Sequence, residues 1–410
     1  MTKNTLLFLC VLWLSCKGNP SILLSEPSIE ETDSISVSIP VVTASLVVGA
    51  NQMDAYLPLL RDKKVALVGN QTSVVFKSDS HKEYAHLVDT LLARKVVIEK
   101  VMAPEHGFRG TASAGEYVSD GKDKATGIPI LSLYGKNKKP SAEHLKGIDI
   151  ILFDIQDVGA RFYTYISTLH HVMEAAAEQR ISLIILDRPN PNGHYVDGPI
   201  LQEKYQSFVG MHPVPVVHGM TIGEYAQMIN NEGWLANAVQ ADLTVIPVKE
   251  YTHDTPYSLP IKPSPNLPND TAVNLYPSLC FLEATPISEG RGTDMPFQVF
   301  GAPYFSYKFT YTPTPNPGAK HPKFSGKECH GKDLRQTERL DYINLEWLIE
   351  SYVQSKEKST FFTPFFIKLA GTPVLQQQIE QGLSADAIRD SWQKDITSFQ
   401  RIRKKYLLYP

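Results

Sequence analysis

The middle of the sequence alternates short apolar runs with amphipathic segments, and no other feature restricts the fold as strongly. The runs are nearly continuous and rich in Val and Ile, which is typical of strands buried on both faces of a parallel sheet. Helical spacing of apolar residues predicts helices between several of them. The predicted strands lie at 65–70, 96–104, 148–155, 182–187, 214–219 and 243–248, and the predicted helices at 81–94, 164–180 and 221–232. This pattern predicts an α/β fold with a Rossmann-like, mainly parallel sheet.

The alternation ends near residue 253, where the composition changes. Residues 253–270 contain five prolines, and a stretch rich in proline and aromatic residues covers 304–324. Helical patterns return at about 341–354, 373–382 and 385–406. We therefore predict a Rossmann-like domain over 44–255 and a smaller α+β C-terminal domain over 256–410, with a cleft between them.

Residues 1–16 have the organisation of an export signal. A positively charged start precedes an apolar run that is too short to span a bilayer as a helix. Leu14-Ser15-Cys16 resembles the end of a bacterial lipobox, in which the cysteine is acylated after cleavage, although Trp13 is atypical of that motif and leaves plain secretion open. We predict lipidation of Cys16 and a flexible tether over 17–43. The expected product is a periplasm-facing lipoprotein of the cell envelope, attached to the membrane through its lipid only.

Charge and cysteine content exclude several classes of protein. Forty basic against forty-three acidic side chains give a net charge of −3 without a basic stripe, so nucleic acid is not an expected partner. Cys280 and Cys329 are the cysteines that remain beyond the signal region. The fold therefore cannot rest on a disulfide framework, and we expect two unrelated thiols. No glycine-rich phosphate-binding motif follows the first strand, so a nucleotide cofactor is not expected.

Polar side chains follow five of the predicted strands. In open parallel sheets, ligands bind beyond the carboxyl ends of the strands. One polar strand end means little, because Asp and Asn often end strands for reasons of turn geometry, but five together indicate a functional cleft. The candidate binding residues at these ends are Asn70, His106, Arg109, Asp154, Gln156, Arg161, Tyr163, Asp187, Arg188, Asn190 and His218. Arg291 and Asp294 join them from the turn-rich run ISEGRGTDMPFQ at 287–298.

The aspartates at these strand ends raise the question of a metal ion. Asp154, Asp157 and Asp187 could hold Mg²⁺ or Ca²⁺. Arg161 and Arg188 would neutralise such a cluster equally well, and no zinc motif such as H-E-x-x-H occurs. We therefore predict no metal and no other cofactor.

Glycoside hydrolysis suits this set of residues, because it needs one carboxylic acid to protonate the leaving oxygen and usually a second carboxylate as nucleophile or base. Glu105 is the best candidate for the acid, since it stands at a strand end in a glycine-bounded loop beside His106 and Arg109. The second role stays open, and Asp157 and Glu289 are our main candidates. The carboxylates that compete for it are Asp154, Asp157, Glu289 and Asp294, and the arginines that could clamp a substrate carboxylate are Arg109, Arg161, Arg188 and Arg291.

Several segments of the chain also carry a family resemblance. They are PEHGFRG at 104–110, FDIQDVGARFYTYISTL at 153–169, LDRPNPNG at 186–193, VDGPIL at 196–201, HGMTIGEYA at 218–226, PSPNLP at 263–268 and YPSLCFLEATPISEGRGTDMPFQVFGAP at 276–303. In these segments the chain resembles the exo-β-N-acetylmuramidases of the NamZ type, long known as a domain of unknown function. The resemblance extends over about 45–410.

The resemblance implies release of N-acetylmuramic acid (MurNAc) from non-reducing ends of peptidoglycan fragments such as MurNAc-β-1,4-GlcNAc, in cell-wall turnover and recycling. It implies a Rossmann-like catalytic domain, a smaller C-terminal domain and Glu105 as the acid/base, and it assigns no second group. The lactyl carboxylate of muramic acid suits the arginines. Two alternatives remain: an envelope lipoprotein that binds muropeptides without catalysis, and a metal-dependent hydrolase of a phosphoester or amide bond.

Overall fold

The structure, a computed structural model, describes residues 45–109 and 120–410. The predicted signal, the lipid-acceptor Cys16 and the tether over 17–43 lie outside the described residues. The strands are β1 (Lys64–Gly69), β2 (Val74–Phe76), β3 (Tyr84–His86), β4 (Val97–Ala103), β5 (Gly121–Lys122), β6 (Pro129–Ser132), β7 (Ile150–Asp154), β8 (Ser182–Leu186), β9 (Leu243–Ile246), β10 (Val299–Ala302), β11 (Phe309–Tyr311) and β12 (Cys329–Asp333). The α-helices are α1 (Met53–Leu60), α2 (Leu87–Ala93), α3 (Ala142–Leu145), α4 (Tyr165–Gln179), α5 (Ile222–Asn231), α6 (Asp270–Leu279), α7 (Glu346–Gln354), α8 (Phe365–Ala370), α9 (Val374–Glu380) and α10 (Ala385–Arg403).

The main sheet has the strand order β5-β6-β4-β1-β7-β8-β9. Its strands pair in parallel except β5, which is antiparallel to β6 at one edge. The chain runs outward from β1 to β6 and then returns to place β7 on the other side of β1. This reversal is the strand order of a Rossmann fold, and it puts a crevice at the carboxyl ends of the central strands. The prediction of a Rossmann-like α/β fold is confirmed.

Both faces of this sheet are buried, which explains why the strand sequences are apolar without alternation. Along β1, Val65 and Leu67 enter a core with α1 and α2, whereas Ala66 and Val68 enter a second core with α4 and α5. Successive strand residues point to opposite faces, so each apolar run supplies two cores at once.

The run at 214–219 is not a strand of the sheet, and that prediction is wrong. Val217 forms only isolated bridges with Ala160 and Asp197. Pro213 and Pro215 precede it. Proline has no backbone N–H to donate to a neighbouring strand, so it is not expected within a central strand. The segment is nevertheless buried, which accounts for its apolar sequence.

The helix predicted over 81–94 is shorter than the pattern indicates. β3 occupies its first part and pairs antiparallel with β2, and α2 begins only after His86, whose side chain accepts a hydrogen bond from the backbone N–H of Val88. The capping box expected at the start of α5 is present, because the side chains of Thr221 and Glu224 bond reciprocally with each other's backbone N–H groups.

The C-terminal part adds a small antiparallel sheet of order β10-β12-β11 and the helices from α6 onward. This agrees with a smaller α+β domain. Along α10, Ile388, Trp392, Ile396 and Phe399 are buried in the same core cluster as α4 and α5. The two parts of the chain thus share one hydrophobic core, and a boundary between 255 and 256 stays a prediction.

Two further expectations concern the cysteines and the membrane. Cys280 and Cys329 are both buried free thiols, as predicted. Among the helices of the described residues, none is both long enough and apolar enough to cross a bilayer.

Candidate active site

A cavity of about 900 Å³ opens beyond the carboxyl ends of the strands, and both parts of the chain line it. Glu105 reaches it from the loop after β4, Tyr163 from the segment before α4, and Glu289 and Arg291 from the C-terminal part. This volume is in the range of small-molecule sites. Of the predicted site residues, the structure brings Glu105, His106, Tyr163, Glu289 and Arg291 together in this cavity.

Glu105 is held at the cavity wall by a tight turn and by hydrogen bonding. His106 and Gly107, which follow it, have positive φ angles of 71° and 76°, so the chain reverses sharply after the strand. The hydroxyl of Thr164 donates to Oε2 of Glu105 at 2.8 Å, and the phenol of Tyr134 interacts with the same carboxylate. A half-buried carboxyl group with fixed neighbours and access to a cavity meets the placement required of a general acid.

Glu289 enters the same cavity within a network of charges. Its Oε2 lies 3.0 Å from Nζ of Lys323 and its Oε1 lies 3.3 Å from Nε of Arg291. Arg291 also pairs with Glu283 at 2.7 Å, and its guanidinium lies over the ring of Phe297. Both oxygens of Glu289 therefore face cations. Arg291 forms ion pairs with two carboxylates of the protein, so its guanidinium is not left unpaired for a ligand.

An aromatic and basic wall that the sequence interpretation missed completes the cavity. Tyr134, Lys138 and Phe208 all line it. Tyr134 and Lys138 follow β6, whose apolar run at 128–133 was the available signal. Phe208 lies in an irregular loop, and no sequence pattern points to it.

Asp154 and Arg188 form a buried ion pair behind the cavity. Nε and Nη2 of Arg188 lie 2.6 and 2.9 Å from the two carboxylate oxygens of Asp154, and Nη2 also donates to the carbonyl of Val74 at 2.8 Å. Asp154 is fully buried and Arg188 is 3% exposed. Each neutralises the other between neighbouring strands and neither lines the cavity, so the structure gives no support to the prediction that they bind substrate.

Asp187 also has a structural role, because its carboxylate is hydrogen-bonded within the protein. Its carboxylate accepts hydrogen bonds from the hydroxyl of Thr221 at 2.7 Å, the N–H of Gly223 at 2.8 Å and the phenol of Tyr409 at 2.6 Å. Glu224 in turn accepts from the N–H of Leu408 at 2.8 Å. These bonds tie the C-terminal residues to the start of α5, so Asp187 is not available to a ligand, contrary to the prediction.

Asn190 and His218 shape buried loops instead of binding substrate. The amide of Asn190 donates to the carbonyl of Met220 at 2.9 Å. Nδ1 of His218 accepts from the N–H of Met220 at 3.2 Å, and burial lowers the pKa of this imidazole to about 3. Neither side chain lines the cavity, so the structure gives no support to their predicted contact with substrate.

Arg161 is the largest fully buried side chain among the described residues, and it does not reach a ligand. Its guanidinium donates to four carbonyl oxygens, those of Pro199, Val214, Leu369 and Ala370, at 2.7–2.9 Å. It therefore fastens the loop after the sheet to the C-terminal part. The structure gives no support to the prediction that Arg161 clamps a substrate carboxylate, because its guanidinium is committed to these carbonyl oxygens.

Asn70 and Gln156 lie buried at the switch point of the sheet. The amide of Asn70 donates to the phenol of Tyr165 at 2.9 Å. The amide of Gln156 donates to the carbonyls of Asp157 and Pro189 at 2.8 and 2.7 Å. Neither residue lines the cavity, so their predicted roles in binding are corrected to roles in positioning the loops beneath it.

Asp157, a candidate for the second catalytic carboxylate, does not line the cavity either. It is 6% exposed, and its Oδ2 accepts from the N–H of Gly159 at 2.7 Å. Burial raises the pKa of Asp157 to about 7. Asp157 is not among the residues that line the cavity, so the structure gives no support to the catalytic prediction for this residue.

Replacing Asp157 by asparagine is expected to change how stability depends on pH. Because the pKa is raised on folding, the folded protein keeps a proton that the unfolded chain releases, and wild type loses stability as pH rises from about 4 to about 7. The Asp157→Asn amide has no such proton to lose and retains an acceptor for Gly159. Thermal melts at about pH 5 and about pH 8 should show the Tm difference moving in favour of the variant. A difference that is the same at both values would contradict this reasoning.

Arg109 and Asp294 lie outside the cavity wall. Arg109 pairs with Asp123 at 2.7 Å and approaches Asp89 at 3.7 Å, and Asp294 is exposed. Their predicted binding roles are therefore not supported by their placement, since one is committed to protein carboxylates and the other projects to solvent.

The aspartates considered as metal ligands each have protein partners instead. Among the described residues, the group with metal-ligand geometry is His170, His171 and Glu174. Both oxygens of Glu174 are occupied, one by Nζ of Lys139 at 2.6 Å and the other by the N–H of Ala236 at 2.7 Å. The carboxylate of Glu174 is therefore committed to protein groups.

Comparison with known proteins agrees with this architecture. The chain matches models described as the N-terminal and C-terminal parts of exo-β-N-acetylmuramidase NamZ, over residues 65–271 and 274–409. It is 40% identical over 377 residues to the peptidoglycan β-N-acetylmuramidase NamZ of Bacillus subtilis (strain 168), which covers 86% of this chain and 89% of the relative. Two crystal structures of DUF1343 family proteins from Bacteroides fragilis NCTC 9343 are similar to it, with TM-scores of 0.82 and 0.74 and identities of 47% and 28%. Each covers 89% of this chain and 99% of its own. The chain belongs to the NamZ family of exo-β-N-acetylmuramidases.

Proposed function

We propose that this protein is an exo-acting β-N-acetylmuramidase that hydrolyses the terminal non-reducing MurNAc from peptidoglycan fragments such as MurNAc-β-1,4-GlcNAc, in the turnover and recycling of the cell wall. The observation that carries the proposal is the 40% identity to a peptidoglycan β-N-acetylmuramidase over 86% of the chain. The cavity supports it independently, because Glu105 and Glu289 both line its wall.

In this proposal Glu105 protonates the glycosidic oxygen as the bond to the leaving sugar breaks. A second carboxylate then acts as nucleophile or as base toward water. Of the carboxylates considered for that role, Asp154 and Asp157 are buried away from the cavity and Asp294 faces solvent. Glu289 lines the cavity, so we assign it the second role, with Arg291 and Lys323 fixing its orientation.

Hydrolysis of MurNAc-β-1,4-GlcNAc, followed by chromatography and mass spectrometry, tests the proposal. Free MurNAc should appear from this disaccharide and not from the inverted disaccharide GlcNAc-β-1,4-MurNAc. Tight binding of both without release would favour a muropeptide-binding protein instead. Activity that EDTA abolishes and Mg²⁺ restores would favour a metal-dependent hydrolase.

We further propose that the protein is exported and acylated at Cys16, as an envelope lipoprotein that faces the periplasm. The support is the sequence of residues 1–16 and the location of the polymer that the enzyme would cut. Incorporation of labelled palmitate should be seen in the wild-type protein and lost in Cys16→Ser. Labelling that persists in the variant would place the acyl group at another residue. Absence of labelling from both proteins would leave a secreted, unacylated protein.

A further inference from the structure

Muramic acid differs from glucosamine by a lactyl ether on O3, which carries a carboxylate. An enzyme that selects MurNAc ends can use this charge, because a hydrogen bond between two charged groups is stronger than one between neutral groups. The cavity must then contain a cation that the protein has not already neutralised. The cations that line it include Arg291, Lys323 and Lys138.

Arg291 and Lys323 are both committed to protein carboxylates. Arg291 contacts Glu283 at 2.7 Å and Glu289 at 3.3 Å. Lys323 contacts Glu289 at 3.0 Å, and its Nζ also donates to the carbonyls of Leu282 and Ile287 at 2.7 and 2.8 Å. All three protons of this ammonium group are thus used, and neither cation offers an unbalanced charge.

Lys138 differs in this respect from the next residue in the chain. Lys139 pairs with Glu174 at 2.6 Å and with Glu178 at 2.8 Å. Lys138 is half-buried in the cavity wall, and its Nζ lies 4.5 Å from the centre of the Phe208 ring. Within residues 45–109 and 120–410, it has no carboxylate within ion-pair distance. A half-buried ammonium on an aromatic face, with hydrogen-bond donors still unused, is suited to receive an anion.

An aromatic wall connects Glu105 to Lys138 within the cavity. Tyr134 interacts with the Glu105 carboxylate, and its ring centre lies 6.1 Å from that of Phe208. Lys138 is at the far side of this aromatic wall. His171 stacks on Phe208 with 10° between the ring planes, which keeps the wall in place. A pyranose packed on this wall would lie between the carboxylate of Glu105 and the ammonium group of Lys138.

We propose that Lys138 binds the lactyl carboxylate of MurNAc and so determines the selectivity of the cavity for muramic acid ends. The inference rests on the proposed function and deepens it. Lys138 is a specificity residue in this scheme, because it contacts the substrate away from the bond that breaks.

Two chromogenic substrates that differ only in the charge of the lactyl group test this proposal. One is p-nitrophenyl β-MurNAc, and the other is the same compound with its lactyl carboxylate converted to the neutral carboxamide. Lys138→Gln should lower kcat/KM for the carboxylate substrate by roughly ten- to thirtyfold, mainly through KM. Its kcat/KM for the carboxamide should match that of wild type. Lys138→Arg should keep the preference for the carboxylate. Lys136→Gln, an exposed lysine on the same loop outside the cavity wall, should behave as wild type.

Other outcomes would overturn the proposal. An equal loss on both substrates in Lys138→Gln would indicate a structural effect rather than recognition of charge. Lys320 also lines the cavity. Loss of the preference in Lys320→Gln but not in Lys138→Gln would show that Lys320, and not Lys138, binds the carboxylate. If wild type cleaves both substrates equally, the inference about Lys138 is wrong, but the proposed function is not affected. If wild type cleaves neither, the proposed function fails with it.

Discussion

Substituting Glu105 by glutamine is expected to lower kcat by about a thousandfold, because the amide cannot deliver a proton to the departing glycosidic oxygen. Binding should change little, since glutamine keeps the size of the side chain and an oxygen for the hydrogen bond from Thr164. Rates of MurNAc release under saturating disaccharide, with a titration of binding by calorimetry, measure the two effects separately.

Asp294→Asn provides the matched control. It makes the same change from carboxylate to amide on an exposed side chain outside the cavity wall, and it should retain wild-type kcat. Melting temperatures of both variants should stay close to wild type, so that loss of rate cannot be ascribed to unfolding. If Glu105→Gln turns over at the wild-type rate, the proton comes from another group and our assignment of the cavity is incorrect.

Arg188→Met is expected to destabilise the fold by about 3–5 kcal/mol, because it leaves the buried carboxylate of Asp154 without its counter-charge. The pair is bidentate and almost fully buried, so water cannot replace the lost partner. In a chain of this size, the change corresponds to a decrease in Tm of roughly 5 °C. Thermal denaturation followed by circular dichroism measures it.

Two further variants test the cause of this destabilisation. Arg335 also pairs with an aspartate, Asp333, at 2.7 Å, but at the surface; Arg335→Met should therefore leave the Tm unchanged. Combining Arg188→Met with Asp154→Leu removes both charges and should recover part of the lost Tm. If the single variant Arg188→Met has the same Tm as wild type, Asp154 has another partner in the folded protein.

The sheet was predictable from the sequence because strands buried on both faces have continuous apolar sequences. β1, β4, β7, β8 and β9 coincide with apolar runs. The failure at 214–219 arose from treating an apolar run as a strand although two prolines remove its donors. β6 and β3 have only four and three residues, and local periodicity does not register elements as short as these.

The site was predictable only in part, for a physical reason. A polar residue at the carboxyl end of a strand can face the cavity, as Glu105 does, or lie beneath it and hold the loops, as Asp154 does. The residue type is the same in both cases, and burial decides the role. Asp154 and Arg188 were both taken for ligand-binding groups, yet opposite charges on neighbouring strands bind each other first. Lys138 and Phe208 reach the cavity from loops that only the tertiary structure brings together.

The link between Asp187 and Tyr409 has a consequence for synthesis of the chain. The two residues are 222 positions apart in sequence, and Leu408 and Pro410 likewise bond to Glu224 and His253. Domains begin to fold from the N-terminus while the ribosome is still translating. During that time the sheet emerges with a carboxylate that lacks its phenol partner and with a groove that the last residues have not yet filled. The native packing of this sheet can therefore be completed only after Tyr409 has left the ribosome.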